Sequence, residues 1–331
     1  MATKLPRFEE LALGKDDPPF SAWGLYGKDD EKGTLNRLTK DLVVEATKEI
    51  KAGVRVSLNW PLDAQKDIPF FNRQAFHKHV YEKPPRCVND DTWTFNTQSS
   101  SQWDGLRHFA YQKERKFYNG VTMDQIHAEG SNVLGVHNMA EHGIVGRGIL
   151  LDYHSWRQAQ APEIEHDSFK TGSIKLSDLK KVARYQGTEI KFGDILIVRS
   201  ESALIEDVLG NKGFMDRFRK ASRADIEAVR AVQPPNFTGV EQSEDVLDWI
   251  WNNFSAVAGD QPAFECWPSQ REFMLHEVLL AGWGCPIGEL FDLEALAEEC
   301  GRQKRWSFFL TSEVCNVPGG VASPPNILAI F

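Results

Sequence analysis

The stretch TQSSSQWDGLRHFAYQ, residues 97–112, gathers polar side chains at a fixed spacing beside large aromatic ones. Gln98, Gln102, Asp104 and His108 follow one another at intervals of four, two and four residues. Buried strands are rarely this polar, and solvated loops rarely carry aromatic rings so close to such groups. The stretch is therefore interpreted as the wall of a functional site.

The bulk composition limits the classes of function. The chain has 331 residues, 41% hydrophobic and 26% charged, which is enough to bury a full core. Its net charge of −9 and its lack of a Lys/Arg cluster argue against a nucleic-acid partner. No apolar run approaches the roughly eighteen residues of a membrane helix, and the N-terminus lacks the apolar core of a secretory signal. Five scattered cysteines without a CxxC pair indicate free thiols in a reducing compartment, so a cytoplasmic protein is expected.

The order of the predicted elements favours one α/β domain with a mixed sheet over residues 1–331, in which residues 1–40 form a turn-rich N-terminal arm. Residues 63–90 are predicted to be a loop. No GxGxxG follows a strand and no GxxxxGK[ST] occurs, so no nucleotide cofactor is expected. Buried strands are predicted at DILIVRSES (194–202) and FSAVAGDQPAFE (254–265), and helices at SRADIEAVRAV (222–232) and SQREFMLHEVLLAG (269–282).

The polar stretch resembles the signature of the putative cyclase family, which includes bacterial kynurenine formamidase and isatin hydrolase. That signature reads His-x-Gly-Thr-His-x-Asp-x-x-x-His. Its spacing places the first two histidines at Gln98 and Gln102, the aspartate at Asp104 and the last histidine at His108, so this chain departs from the family at two positions. Other segments similar to the family are WGLYGKDDEKGTLNRLT (23–39), GRGILLD (146–152), GDILIVRS (193–200), LHEVLLAGWGCPIGELFDLEAL (275–296) and PGGVASPPNILAIF (318–331).

The resemblance implies a swivelling β/β/α fold that usually oligomerises, so a homodimer or homotetramer is expected. In the family, the first two histidines and the aspartate bind a divalent metal, and a downstream His and Glu complete the site. Carried over, Asp104, His276 and Glu289 become candidate ligands for zinc, manganese or magnesium. His108 becomes the candidate general acid/base, with Asp104 beside it. This chain has one extra residue between His276 and Glu289.

The two glutamines leave the metal question open. Imidazole is a good ligand for zinc and manganese, whereas an amide oxygen suits hard cations with several oxygen ligands. Alternatively, Gln98 and Gln102 form hydrogen bonds with Asp104, Ser99 or a substrate, because buried amides must find partners.

Further residues are candidates for substrate contact. Arg107 is a candidate to pair with Asp104 or Glu289 or to hold an anionic substrate group, and a solvated arginine is the competing interpretation. Trp23, Phe70 and Phe71 fall in regions that the family uses near its substrate, and core packing is the competing interpretation for them. Asp260 and Glu265 flank an apolar segment and are the weaker candidates.

Three functions are compatible with these residues. The first is hydrolysis of a small cyclic or aromatic amide or lactone, in which a metal or a hydrogen-bond network assists the attacking water and His108 moves the proton. The second is metal-independent acid/base isomerisation, dehydration or ring closure. The third is a pseudoenzyme that binds a ligand without turnover. The first is preferred because members of the family hydrolyse amides.

Overall fold

The computed structural model of the chain describes residues 5–65, 69–164, 166, 170–200 and 235–331. The strands in these ranges are β1 (Arg55–Ser57), β2 (His77–Glu82), β3 (Asn89–Thr94), β4 (Gln102–Asp104), β5 (Ile144–Asp152), β6 (Gly172–Ile174), β7 (Asp194–Arg199), β8 (Thr238–Val240), β9 (Phe254–Gly259), β10 (Ile287–Glu289), β11 (Ser307–Ser312), β12 (Ala322–Ser323) and β13 (Ile327–Ile330). The α-helices are α1 (Lys40–Ala46), α2 (Met123–His127), α3 (His137–Ala140), α4 (Tyr153–Gln160), α5 (Leu176–Gln186), α6 (Glu244–Asn253) and α7 (Glu294–Gln303), and a π-helical segment covers Glu277–Gly282.

Nine of the described strands form one mixed sheet in the order β1-β13-β11-β5-β7-β9-β10-β4-β12. The four neighbours β5, β7, β9 and β10 are parallel, and the pairs on either side are antiparallel. Every residue of β7 and β9 is buried, which explains why both read as nearly continuous apolar runs in the sequence. The predicted α/β architecture with a mixed sheet is confirmed.

Local sequence signals set the ends of the helices. The Ser243 side chain accepts a hydrogen bond from the Val246 N–H and caps α6, whose first turn carries Glu244 and Asp245. The C-terminus of α5 is capped by Gly187, which adopts a left-handed φ of 66°.

The helix predicted at SQREFMLHEVLLAG (269–282) is confirmed only in its second half, because residues 269–274 lie outside any helix and the π-helical segment covers Glu277–Gly282. The loop predicted over residues 63–90 is wrong in part, because β2 pairs with β3 to form an antiparallel hairpin. All six residues of β2 are exposed, so the strand has no buried face and shows no apolar alternation that a sequence reading could detect. The helix predicted at SRADIEAVRAV (222–232) and the last two residues of DILIVRSES lie outside the described residues.

Two further observations concern the chain as a whole. All five cysteines are free thiols, as predicted. Among the described residues, every helix is too short or too polar to cross a lipid bilayer.

Candidate active site

The short strand β4 carries two residues of the polar stretch at the edge of the parallel strands. Gln102 lies opposite Glu289 and Asp104 lies opposite Ile287 in the antiparallel pair of β4 with β10. Residues two apart on a strand share a face, so Gln102, Asp104 and Glu289 point to the same side of the sheet. All three side chains are buried.

A tight turn after β4 brings His108 back beside Asp104. The Gly105 N–H donates to the Val321 carbonyl at 3.0 Å, and a Cβ on Gly105 would lie 2.7 Å from that oxygen, so only glycine fits. The His108 Nε2 atom lies 3.7 Å from Asp104 Oδ2. Because the His108 side chain is 21% exposed whereas Asp104 is fully buried, the imidazole stands at the boundary between core and solvent.

Gln98 connects these two residues. Its Nε2 atom donates to Asp104 Oδ1 at 2.7 Å and lies 3.2 Å and 3.3 Å from the two ring nitrogens of His108. The Gln98 backbone is held by Asn96, whose Oδ1 accepts the Gln98 N–H at 2.9 Å. The structure therefore brings Gln98, Asp104 and His108 together.

His276 and Glu289 form the second half of the cluster, together with Glu265. The two ring nitrogens of His276 contact a carboxylate each, Nδ1 with Glu265 Oε1 at 2.7 Å and Nε2 with Glu289 Oε1 at 3.1 Å. Gln102 joins this half, because its Nε2 donates to Glu289 Oε2 at 2.7 Å. The rings of His276 and His108 have centroids 6.3 Å apart, so the two halves face each other.

The hydrogen bonds of His276 fix its charge. An ionised carboxylate only accepts hydrogen bonds, so contact with two carboxylates favours a proton on both nitrogens of His276. Burial alone would lower the pKa of His276, but the hydrogen bonds with Glu265 and Glu289 outweigh it and raise the pKa to about 10. His276 is therefore an imidazolium cation enclosed by two carboxylates.

The pKa values of the other two groups shift for different reasons. Burial lowers the pKa of His108 below its ordinary value of 6.5, with Asp104 opposing the shift and the positive charges of His276 and Arg73 adding to it. Burial and the nearby Asp104 carboxylate raise the pKa of Glu289. At neutral pH His108 is thus an uncharged base, and its charged neighbours are the Asp104 carboxylate and the cations of His276 and Arg73.

The segment around Phe70 forms an aromatic edge next to the polar cluster. Phe70 is buried and packs against Phe237, with ring centroids 5.5 Å apart, and the more exposed Phe71 packs against the same ring at 5.8 Å. The Arg73 guanidinium lies over the Phe71 ring at 5.0 Å and donates through Nη1 to the Gln98 carbonyl at 2.8 Å. Phe70 and Phe71 are therefore tied to the site through Arg73.

Arg107 does not pair with Asp104 or Glu289, and the contacts of Trp23 are those of core packing, the competing interpretation given for it above. The Arg107 guanidinium donates to the carbonyls of Ser131, Val133 and Gly319, and so holds two loops together instead of pairing with Asp104 or Glu289. The indole N–H of Trp23 donates to the Ala281 carbonyl at 2.7 Å, and its ring packs against Tyr111. For both residues, the contacts are those of structural support, and their role as substrate contacts stays a prediction.

The sequence analysis undervalued two residues of the site. Glu265 accepts hydrogen bonds from the His276 ring, from the backbone N–H groups of Leu275 and His276, and from Gln242 Nε2. Arg73 lies in the stretch predicted to be a loop, where no spacing marks it. Asp260, the other weak candidate, binds Ser200 through the backbone N–H and the hydroxyl and does not share these contacts.

The divalent metal that the resemblance implies can be tested on the donor atoms. Among the described residues, Asp104, His108 and His276 offer ligand atoms that all lie within 4.8 Å of one another. Both ring nitrogens of His276 contact carboxylates, and Gln98 and Gln102 each donate an N–H to one oxygen of Asp104 and of Glu289. Asp104 Oδ2, which has no hydrogen-bond partner in the described part of the chain, and His108 remain as donors, which is fewer than the three protein ligands of a catalytic zinc site. Zinc and manganese sites require imidazole nitrogens and carboxylates that are free to bind. The donor set therefore does not fit a zinc or manganese ion in this arrangement.

Comparison with known proteins agrees with the resemblance. The family described as putative cyclase matches residues 41–265, which is more than half of the chain. A search of curated proteins gave no match.

Solved structures share the fold over nearly the whole chain. A crystal structure described as a novel cyclase is 27% identical, with a TM-score of 0.79 over 94% of this chain and 99% of the other. Isatin hydrolase A from Ralstonia solanacearum is 13% identical, with a TM-score of 0.55 over 88% of this chain and 98% of that one. Isatin hydrolase A from Labrenzia aggregata, bound to benzyl benzoate, is 15% identical, with a TM-score of 0.55 over 89% and 98% of the two chains.

Proposed function

Because the chain belongs to the putative cyclase family, we propose that it is an enzyme that hydrolyses an amide or lactone bond of a small cyclic or aromatic metabolite. One observation carries the proposal: an uncharged, partly exposed imidazole, His108, lies beside the buried Asp104 carboxylate and faces a fixed cation, His276. Such an arrangement suits a proton transfer that is coupled to the attack of water on a carbonyl.

His108 acts as the general base in this proposal. Its lowered pKa leaves the imidazole unprotonated at neutral pH, so one ring nitrogen can accept a proton from the attacking water. As the ring becomes charged, the Asp104 carboxylate at 3.7 Å stabilises it. The protonated ring then returns the proton to the leaving nitrogen or oxygen, which completes the cleavage.

Arg73 is assigned to stabilise the negative charge that develops on the carbonyl oxygen. The N–H groups of Gln98 and Gln102 donate to Asp104 and Glu289, so they are engaged before substrate arrives. Arg73 is half-buried, and its charge already lowers the pKa of His108 and of Glu289. The same field favours an oxyanion at the mouth of the site.

The aromatic edge determines the class of substrate in this proposal. Phe71 is exposed next to Arg73, and Phe109 packs beside the His276 ring with centroids 5.4 Å apart. Flat rings stack well against such side chains. A small ring compound that carries a carbonyl could therefore place its ring on Phe71 and its carbonyl between Arg73 and His108.

A hydrolysis screen in isotopically labelled water tests the proposal. Purified enzyme is incubated with a panel of small aromatic amides and lactones in H₂¹⁸O, and the products are analysed by mass spectrometry. We expect one ¹⁸O atom in the new carboxylate, and we expect the reaction to be lost in His108→Ala. The exposed His127→Ala serves as the matched control and should react like the parent. Turnover that is equal in His108→Ala and the parent would refute the assignment of the base.

A second candidate function is acid/base isomerisation or ring closure without a metal. The observation that favours it is the closed network around His276, in which carboxylates and amides bond one another and not a cation. The same isotopic experiment separates the two functions. An isomerase would leave ¹⁸O out of the product and introduce solvent deuterium at carbon when the reaction runs in D₂O.

A further inference from the structure

The two glutamines that replace histidines of the family signature have a defined chemical role in this structure. An imidazole in such a position offers a nitrogen lone pair to a metal, whereas a glutamine also carries an NH₂ donor. Both glutamines use that donor: Gln98 Nε2 contacts Asp104 Oδ1, and Gln102 Nε2 contacts Glu289 Oε2, each at 2.7 Å. One oxygen of each carboxylate thus accepts an amide N–H, and Asp104 Oδ2 is the carboxylate oxygen of this pair that has no hydrogen-bond partner among the residues that the structure describes.

The third potential nitrogen ligand is engaged as well. Both ring nitrogens of His276 contact carboxylates, Nδ1 with Glu265 at 2.7 Å and Nε2 with Glu289 at 3.1 Å, and the side chain is 4% exposed. Glu265 accepts further hydrogen bonds from Gln242 and from two backbone N–H groups. To bind a metal through Nε2, His276 would have to break its contact with Glu289.

We infer that Gln98 and Gln102 close this site to zinc and manganese, and that restoring histidine at both positions opens it. The inference concerns metal content alone, so it holds or fails independently of the hydrolytic function.

Metal analysis of untagged protein tests this inference. Parent chain and Gln98→His/Gln102→His are produced in medium with added zinc and manganese, purified without chelator and analysed by inductively coupled plasma mass spectrometry. We expect less than about one tenth of an equivalent in the parent and about one equivalent in the double variant, because two imidazoles and Asp104 then supply three ligands.

A matched control separates the position of the histidines from their number. Gln158 and Gln160 are exposed glutamines of α4, outside the cluster of Asp104, His276 and Glu289. Gln158→His/Gln160→His adds the same two imidazoles at the surface and should hold no more metal than the parent. One equivalent of metal in the parent, or a folded Gln98→His/Gln102→His that gains none, would overturn the inference.

A calorimetric titration of the parent and of Asp104→Asn with zinc and with manganese provides a readout that does not depend on the double histidine variant. We expect no saturable binding that depends on Asp104. Binding with one-to-one stoichiometry in the parent, abolished by Asp104→Asn, would also overturn the inference.

Discussion

The two halves of the site use the same residue type for opposite purposes. His108 is 21% exposed, has a pKa below its ordinary value and lies near one carboxylate at 3.7 Å. His276 is buried, has a pKa raised to about 10 and is hydrogen-bonded to two carboxylates. The difference teaches that the number and distance of acidic neighbours decide whether a histidine moves a proton or serves as a fixed charge.

Removal of His108, the proposed general base, should give the largest effect on turnover. In His108→Ala we expect kcat/KM for a hydrolysed substrate to fall about 1,000-fold, because no other group takes the proton from water. The free energy of unfolding should change by less than about 1 kcal/mol, since the ring is partly exposed. Steady-state kinetics and urea denaturation check both expectations. A large loss of stability with normal turnover would mean that His108 has a structural role and not a catalytic one.

Removal of His276, which lies between two carboxylates, should act mainly on the free energy of unfolding. In His276→Ala, Glu265 and Glu289 lose the cation between them, and the free energy of unfolding should fall by about 3–5 kcal/mol. Urea denaturation at neutral pH measures the change, with the exposed His142→Ala as the control. A loss below about 1 kcal/mol would mean that His276 is not charged in the folded state.

The two histidines should also give opposite pH dependences. The pKa of His276 is higher in the folded chain than its ordinary value of 6.5, so its contribution to stability is complete below pH 6.5 and is lost as pH rises through about 10. The pKa of His108 is lowered, so turnover should fall only when the pH drops below 6.5 and the base becomes protonated. Urea denaturation as a function of pH tests the expectation for His276, and kcat/KM as a function of pH tests the expectation for His108. Stability that increases between pH 7 and 10 would contradict the charge on His276.

The smallest expected effect comes from Arg73, which donates a hydrogen bond to the Gln98 carbonyl in the half of the site that contains His108. In Arg73→Gln the pKa of His108 should rise, because a positive charge is removed, and the acid limb of the rate profile should move to higher pH. We expect kcat/KM to fall about tenfold, corresponding to about 1.4 kcal/mol. Arg73→Lys keeps the charge and should retain the position of the acid limb. An unchanged profile in Arg73→Gln would remove Arg73 from the site.

The sequence predicted the fold and the centre of the site better than its surroundings. The spacing of Gln98, Gln102, Asp104 and His108 placed them together because a strand and a tight turn translate such intervals into one face. The sequence could not reveal the partners of His276, since Glu265 reaches it from eleven residues away through backbone N–H contacts that no spacing encodes.

Two other differences have physical causes. Arg107 looked free to bind a substrate, but three backbone carbonyls of distant loops accept its N–H groups. Arg73 was overlooked because it follows Phe71 and Asn72, two residues with positive φ that turn the chain toward Gln98, and such a turn without glycine has no sequence signal.

The most direct test of the central claim is a nuclear magnetic resonance titration of the two imidazoles, assigned with His108→Gln and His276→Gln. The account predicts that His276 carries protons on both nitrogens from pH 6 to pH 8, while His108 is neutral at pH 7 and becomes protonated only below its ordinary value of 6.5. A neutral His276 at pH 7, or a His108 that titrates above 6.5, would contradict it.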